Sequence, residues 1–108
     1  MKLNKENRER CGKIIKLNPR DFQLQIAMEE LAELIQAISK YLRYGEIEPL
    51  LEEYADVEVI MEELRQMFDI QQKEIDNRCA KKLYRALDGR VLINANVESN
   101  RGKAHAKR

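Results

Sequence analysis

Tryptophan is absent from this 108-residue chain, and aromatic residues make up only 6% of it. Glycine occurs four times and proline twice. A β-sandwich or barrel draws on aromatic and β-branched strands closed by many turn residues, so this poverty favours helices. Long apolar runs are missing too. No stretch approaches the roughly 18 apolar residues of a membrane span, and the opening Met1-Lys2-Leu3-Asn4-Lys5-Glu6 has no apolar run behind its charges. The expectation is therefore neither a membrane protein nor a secreted one. Two cysteines, Cys11 and Cys79, make no disulfide framework and read as reduced thiols in a cytoplasmic protein. The single histidine, His105, sits near the C-terminus, so the body of the chain has no Ser-His or Cys-His pair and no His-based zinc site. The length suits one domain with one core.

What is present is charge, 36% of the residues, in an uneven order. Residues 1–21 carry seven Lys/Arg and three acids. Residues 22–63 carry eleven acids against Lys40 and Arg43, and residues 64–108 carry eleven basic residues and five acids. The net charge of +1 thus conceals a central acidic block. Such a block is either a solvated face or a set of carboxylates gathered around a cation.

The apolar periodicity predicts four helices. Residues 3–17 form a short first one, ended by Asn18-Pro19, with Asp21 placed to cap the next. From Phe22 to about Tyr44, Leu24, Met28, Leu31, Ile35, Ile38 and Leu42 step by fours and threes as the seam of a packed helix. Gly45 stops it, and Pro49 suits the first turn of a third helix running to about Phe68. That helix repeats the stepping with Leu50, Tyr54, Val57, Met61, Leu64 and Phe68. A fourth runs from about Ile70 to Leu87 and ends at Asp88-Gly89, before a short strand at Arg90-Val91-Leu92-Ile93. The fold class is all-α. An antiparallel hairpin of the second and third helices, with flanking helices, builds a four-helix-bundle-like core completed by dimerisation. The chain divides into an N-terminal helix and linker (1–21), a helical domain (22–88) and a basic, mobile tail (89–108).

A helical wheel decides where the acids point. With Leu31 at zero and about 100° per residue, the seam of the second helix centres near +20°. A second apolar arc of Ala27, Leu34, Tyr41, Ala37 and Ile26 spans roughly −40° to −140°. Glu30 falls near −100°, inside that arc, and Glu33 near −160°, on its edge. With Val57 at zero, Glu53 lands near −40° and Asp56 near −100°, within or beside the apolar surface of the third helix. Glu29, Glu52, Glu58 and Glu62 point away. Each inward pair is spaced i, i+3 and shares a face.

Four crowded, half-dehydrated carboxylates must protonate or take up a cation. All-oxygen ligands favour a hard ion, Mg²⁺ with Mn²⁺ as a substitute, over zinc or copper. A di-iron bundle would need Glu-x-x-His on two helices, which this chain lacks. On the fourth helix, Lys81, Lys82 and Arg85, beside Asn77 and Arg78, line donors along one broad side suited to a phosphate chain.

Glu29-Glu30-Leu31-Ala32-Glu33, nineteen residues, then Glu53-Tyr54-Ala55-Asp56 resembles a known pattern. It is similar to the Glu-Glu-x-x-Glu … Glu-x-x-Asp signature of the MazG-like nucleoside triphosphate pyrophosphohydrolases. These belong to the all-α NTP pyrophosphatase superfamily, with the dimeric dUTPases and phosphoribosyl-ATP pyrophosphohydrolase. The resemblance covers about residues 22–87 and is nearest to the small single-domain bacterial and phage type. It implies a homodimer or homotetramer that hydrolyses an NTP or dNTP to the monophosphate and pyrophosphate. It implies further that Glu30, Glu33, Glu53 and Asp56 hold Mg²⁺, and that Lys81 or Lys82 with Arg85 contacts phosphate. Glu29 matches the first Glu of the motif although the wheel turns it outward. Two rival classes are a helical interaction protein with a solvated acidic face and a nucleic-acid binder using the basic ends. The acidic centre and the lack of an aromatic platform oppose the latter.

Overall fold

The computed structural model describes residues 3–100, and the side chains of residues 3–88. It is all-α, with no strand among the described residues. The helices are α1 (Lys5–Leu17), α2 (Arg20–Tyr44), α3 (Glu48–Met67) and α4 (Gln72–Asn100). The chain divides into two compact units, Met1–Ile70 and Gln71–Arg108. The first holds α1, α2 and α3; the second holds α4. No helix among the described residues is long and apolar enough to cross a membrane.

Local chemistry explains most of the boundaries. Asn4 caps α1 by accepting a hydrogen bond from the Asn7 backbone N–H at 2.8 Å. Pro19 precedes α2 without a side-chain cap, so Asp21 is not the cap the sequence suggests. It lies in the first turn, where its charge suits the helix dipole. Asn18 instead reaches across the junction, donating to the Ile14 carbonyl at 3.3 Å and to Gln23 Oε1 at 3.1 Å. Gly45 ends α2 in the left-handed region, φ 71°, with its N–H donating to the Tyr41 carbonyl at 2.8 Å. Pro49 stands in the first turn of α3.

Beyond Asp88 the structure departs from the sequence reading. Helix α4 continues through Gly89 to Asn100, and the strand expected at residues 90–93 does not form. With no other strand among the described residues, a four-residue strand has no ladder partner there for its backbone groups. A helix satisfies them locally and carries one internal glycine for about 1 kcal/mol. Residues 101–108, the end of the expected tail, lie outside the described residues.

Within the first unit α3 is the central element, packed by α2 on one side and α1 on another. The buried apolar residues are few and mostly small: Cys11, Ala27, Ala37 and Ile60. Ala27 and Ala37 belong to the second arc of α2, so that arc, not the leucine-rich seam, faces α3. The seam stays at the surface of the single chain: Met28 is 64% exposed, Ile35 68% and Leu42 80%. Tyr54 and Met61 of α3 and Phe68 at its C-terminal cap are exposed as well. In each helix the seam is turned roughly 100° in the same rotational sense from the face against the other. In an antiparallel pair equal turns bring both seams to one side of the hairpin. Helix α1 takes the opposite side. There Gln66 Nε2 donates to the Arg8 carbonyl at 2.9 Å, and the Cys11 thiol points at the Val59 carbonyl. Gly12 permits this approach, since a Cβ there would lie 3.0 Å from Gln66 Oε1. Glu62, which the wheel turns to water, is buried beside Gln66, held by the Arg65 guanidinium at 2.6 and 3.0 Å. At the open end of the hairpin the Arg20 guanidinium sits 4.4 Å from the centre of the Phe68 ring.

A Cβ at position 45 would meet nothing within 4 Å, so a substitution there tests backbone conformation alone. Gly45→Ala should cost about 1–2 kcal/mol, the left-handed penalty for an L-residue. A lower urea midpoint at unchanged slope would show it.

Candidate metal centre

The register of the hairpin brings the acids together. Gln23 Nε2 donates to Glu63 Oε1 at 2.6 Å, tying a residue near the start of α2 to one near the end of α3. These two lie twenty residues on either side of Arg43. Glu30 and Asp56 lie thirteen on either side of it, and Glu33 and Glu53 ten. One antiparallel register therefore sets Gln23 opposite Glu63, Glu30 opposite Asp56 and Glu33 opposite Glu53. Helix counts from the sequence leave the acid levels about 6 Å apart. The structure removes that offset because in this register Ile38 stands level with Glu48, and the last six residues of α2 overhang the start of α3.

The result is a cluster. Glu30, Glu33, Glu53 and Asp56 each bring a carboxylate oxygen to within 4.8 Å of those of the others. Glu30 and Glu53 are half-buried, while Glu33 and Asp56 are exposed. Oε1 of Glu30 and Oε1 of Glu53 are shielded from solvent and have no hydrogen-bond partner. Buried acceptors are ordinarily satisfied, so two orphaned oxygens in one cluster leave room for a proton or a cation between them. Burial raises the Glu30 pKa above the usual carboxylate range, and the charges of Asp56, Glu33 and Glu53 raise it further. Glu53 is raised in the same way, first by burial and then by Glu33 and Asp56.

These donors fit a hard divalent ion. Trans oxygens are about 4.2 Å apart across Mg²⁺ and about 4.6–5.2 Å apart across Ca²⁺. A spread of up to 4.8 Å admits either with small side-chain adjustments. No histidine or cysteine joins the group, which removes the nitrogen and sulfur ligands that zinc prefers.

All four acids that the wheel turned inward are thus brought together. Glu29 is exposed and outside the cluster. Lys81, Lys82 and Arg85 are exposed on α4, in the second unit. The sequence reading missed Gln23 and Glu63, both buried. The signal was available: on the same wheels they fall near −80° and −120°, within the arcs that hold Glu30 and Asp56. No family model, curated protein or solved structure matches the chain.

Carboxyls raised in the folded state bind protons that the unfolded chain has released, so their contribution to stability falls as pH rises through that window. In EDTA, Glu53→Gln should melt above the wild type at pH 7, with the gap closing as pH falls towards 4. Millimolar Mg²⁺ should raise the melting temperature of the wild type and leave that of Glu53→Gln unmoved.

Proposed function

We propose that the chain is a Mg²⁺-dependent nucleoside triphosphate pyrophosphohydrolase of the MazG-like type, releasing a nucleoside monophosphate and pyrophosphate. The observation that carries this reading is the convergence of Glu30, Glu33, Glu53 and Asp56, two of them with orphaned oxygens, on the positions of the two-part acidic motif. A solvated acidic face would gain nothing by setting its carboxylates against one another at half-buried positions. A divalent ion bound there supplies positive charge against a triphosphate that four carboxylates would otherwise repel. Mn²⁺, also a hard ion, is the natural substitute. One of the four carboxylates accepts the proton of the attacking water. Lys81, Lys82 and Arg85 carry, by the family resemblance, the role of phosphate donors.

The same reading makes the protein a homodimer or homotetramer. Support comes from the apolar seams of α2 and α3, which lie together on the side of the hairpin opposite α1. Contiguous apolar surface of this kind marks an association site, and a second copy offers the same seam. Cys11 and Cys79 are free thiols, as suits the reducing cytoplasm.

A panel of NTPs and dNTPs with Mg²⁺, extended to phosphoribosyl-ATP and scored for pyrophosphate, tests the activity. Glu53→Gln and Asp56→Asn should reduce release to background while circular dichroism stays helical; full activity in both would remove the site. Ile35→Glu should convert the assembly to a monomer by light scattering.

A further inference from the structure

The acid cluster lies between two ties that join α2 to α3. On one side is the bend, residues 45–47. On the other is the pair Gln23 and Glu63. Gln23 is seven residues beyond Glu30 on α2, and Glu63 seven beyond Asp56 on α3, which is roughly 10 Å along each helix. Between the two ties, four carboxylates repel one another. A bend alone holds two helices at one end and leaves them free to splay or slide at the other. The apolar contact opposes sliding weakly. Its buried members on α2 and α3 are Ala27, Ala37 and Ile60, and apolar attraction has no preferred direction. A hydrogen bond does: it is lost beyond about 3.5 Å or at a poor angle. Slipping by one helical turn moves a side chain about 5.4 Å, and slipping by one residue turns it about 100°.

Gln23 and Glu63 are built to resist such a slip. Each is only 3% exposed, so neither can trade its partner for bulk water. The Gln23 carboxamide is fixed from both sides, its Oε1 accepting from Asn18 Nδ2 at 3.1 Å and its Nε2 donating to Glu63 Oε1 at 2.6 Å. Asn18 is the C-terminal cap of α1 and also donates to the Ile14 carbonyl at 3.3 Å. One chain of hydrogen bonds thus ties the end of α1, the start of α2 and the end of α3. Burial pushes the Glu63 carboxyl above its usual range, and the Gln23 N–H opposes that rise. Parting the two leaves a donor and a carboxylate oxygen buried without each other, the costly outcome for polar groups in a core. Buried polar groups are used elsewhere to select one register among several apolar ones.

Resting on the divalent-ion reading above, we infer that Gln23 and Glu63 are positioning residues: their buried hydrogen bond fixes the register of α2 against α3 and thereby sets the affinity of Glu30, Glu33, Glu53 and Asp56 for a divalent ion that the pair does not touch. The four acids must be held together against their repulsion before any ion arrives. A tie on the far side of the cluster from the bend does this in advance, which is preorganisation of the site. The coupling runs both ways. A closed pair favours binding, and binding, by cancelling the repulsion, favours the closed pair.

Calorimetric titration of the full chain with Mg²⁺ tests this without any turnover. Gln23→Met removes the donor, keeps the net charge and should weaken Mg²⁺ binding roughly tenfold. The exchange Gln23→Glu with Glu63→Gln also keeps the net charge, faces a carboxamide N–H to a carboxylate again, and should restore the affinity. A bond that only stabilises the fold would lower the melting temperature of Gln23→Met and leave its Mg²⁺ affinity at the wild-type value, which overturns the inference. Should Gln23→Met fail to fold, the wild type decides. By reciprocity Mg²⁺ should slow hydrogen exchange of the Gln23 carboxamide roughly tenfold, and an unchanged rate overturns the inference. Mg²⁺ binding that ignores Gln23 sinks the positioning role alone, whereas a wild type that binds no Mg²⁺ sinks the metal reading and this inference with it. Coupled Mg²⁺ binding without pyrophosphate release sinks the hydrolase reading and leaves the positioning role standing.

Discussion

Mutual repulsion among four carboxylates is the constraint around which the hairpin is organised. Acids on a water-facing stripe cost little. These four sit where α2 and α3 meet, two of them half-buried with an oxygen that nothing satisfies. A chain gains stability by placing apolar residues at such positions. Keeping glutamates there has a cost that the rest of the first unit must offset, and its apolar core is thin: among the described residues Ile60 alone is a large buried aliphatic. The remaining cohesion comes from polar ties: Gln23 with Glu63, Gln66 with Arg8, Glu62 with Arg65. Residues that lower stability at a convergent site are the usual mark of chemistry.

Much of this was readable before any coordinates. The helical spacing gives α2 and α3 because their apolar residues recur over many turns, and a long periodic signal outweighs local propensity. The inward acids were readable because a polar residue inside an apolar arc breaks the pattern that defines the arc. Periodicity does not say which apolar surface meets which neighbour. Leu24, Met28, Leu31, Ile35, Ile38 and Leu42 form the stronger stripe on α2, yet the smaller Ala27 and Ala37 face α3 within one chain. The misreadings have separate causes. Val91 and Ile93 are β-branched, and Gly89 precedes them, so local preference suggested a stop and a strand. Backbone hydrogen bonding settled the matter the other way. Glu62 looked solvated because the wheel took α2 as the sole neighbour of α3, and α1 covers that side.

The polar pair Gln23–Glu63 joins two parts of the molecule that a motif would treat separately. It belongs to the same register as the acids, about two to three turns along the bundle, and lines a pocket with Glu30 and Asp56. The polar pair and the acid cluster are thereby mounted on the same two helices, at a separation fixed by helix rise rather than by a loop.

Three residues, Gly45, Glu46 and Ile47, connect α2 to α3, and every cross-pair is counted from that bend. Each facing couple sits at equal chain distance from Arg43, so the bend acts as the zero mark of a ruler. Deleting or inserting a single residue within the helical stretch from Leu34 to Arg43 would turn the part of α2 that carries Gln23, Glu30 and Glu33 by roughly 100°. All three couples would be lost together, where a side-chain replacement disturbs only one. The length of the helical stretch before that bend is therefore held more tightly than the identity of any one residue in it.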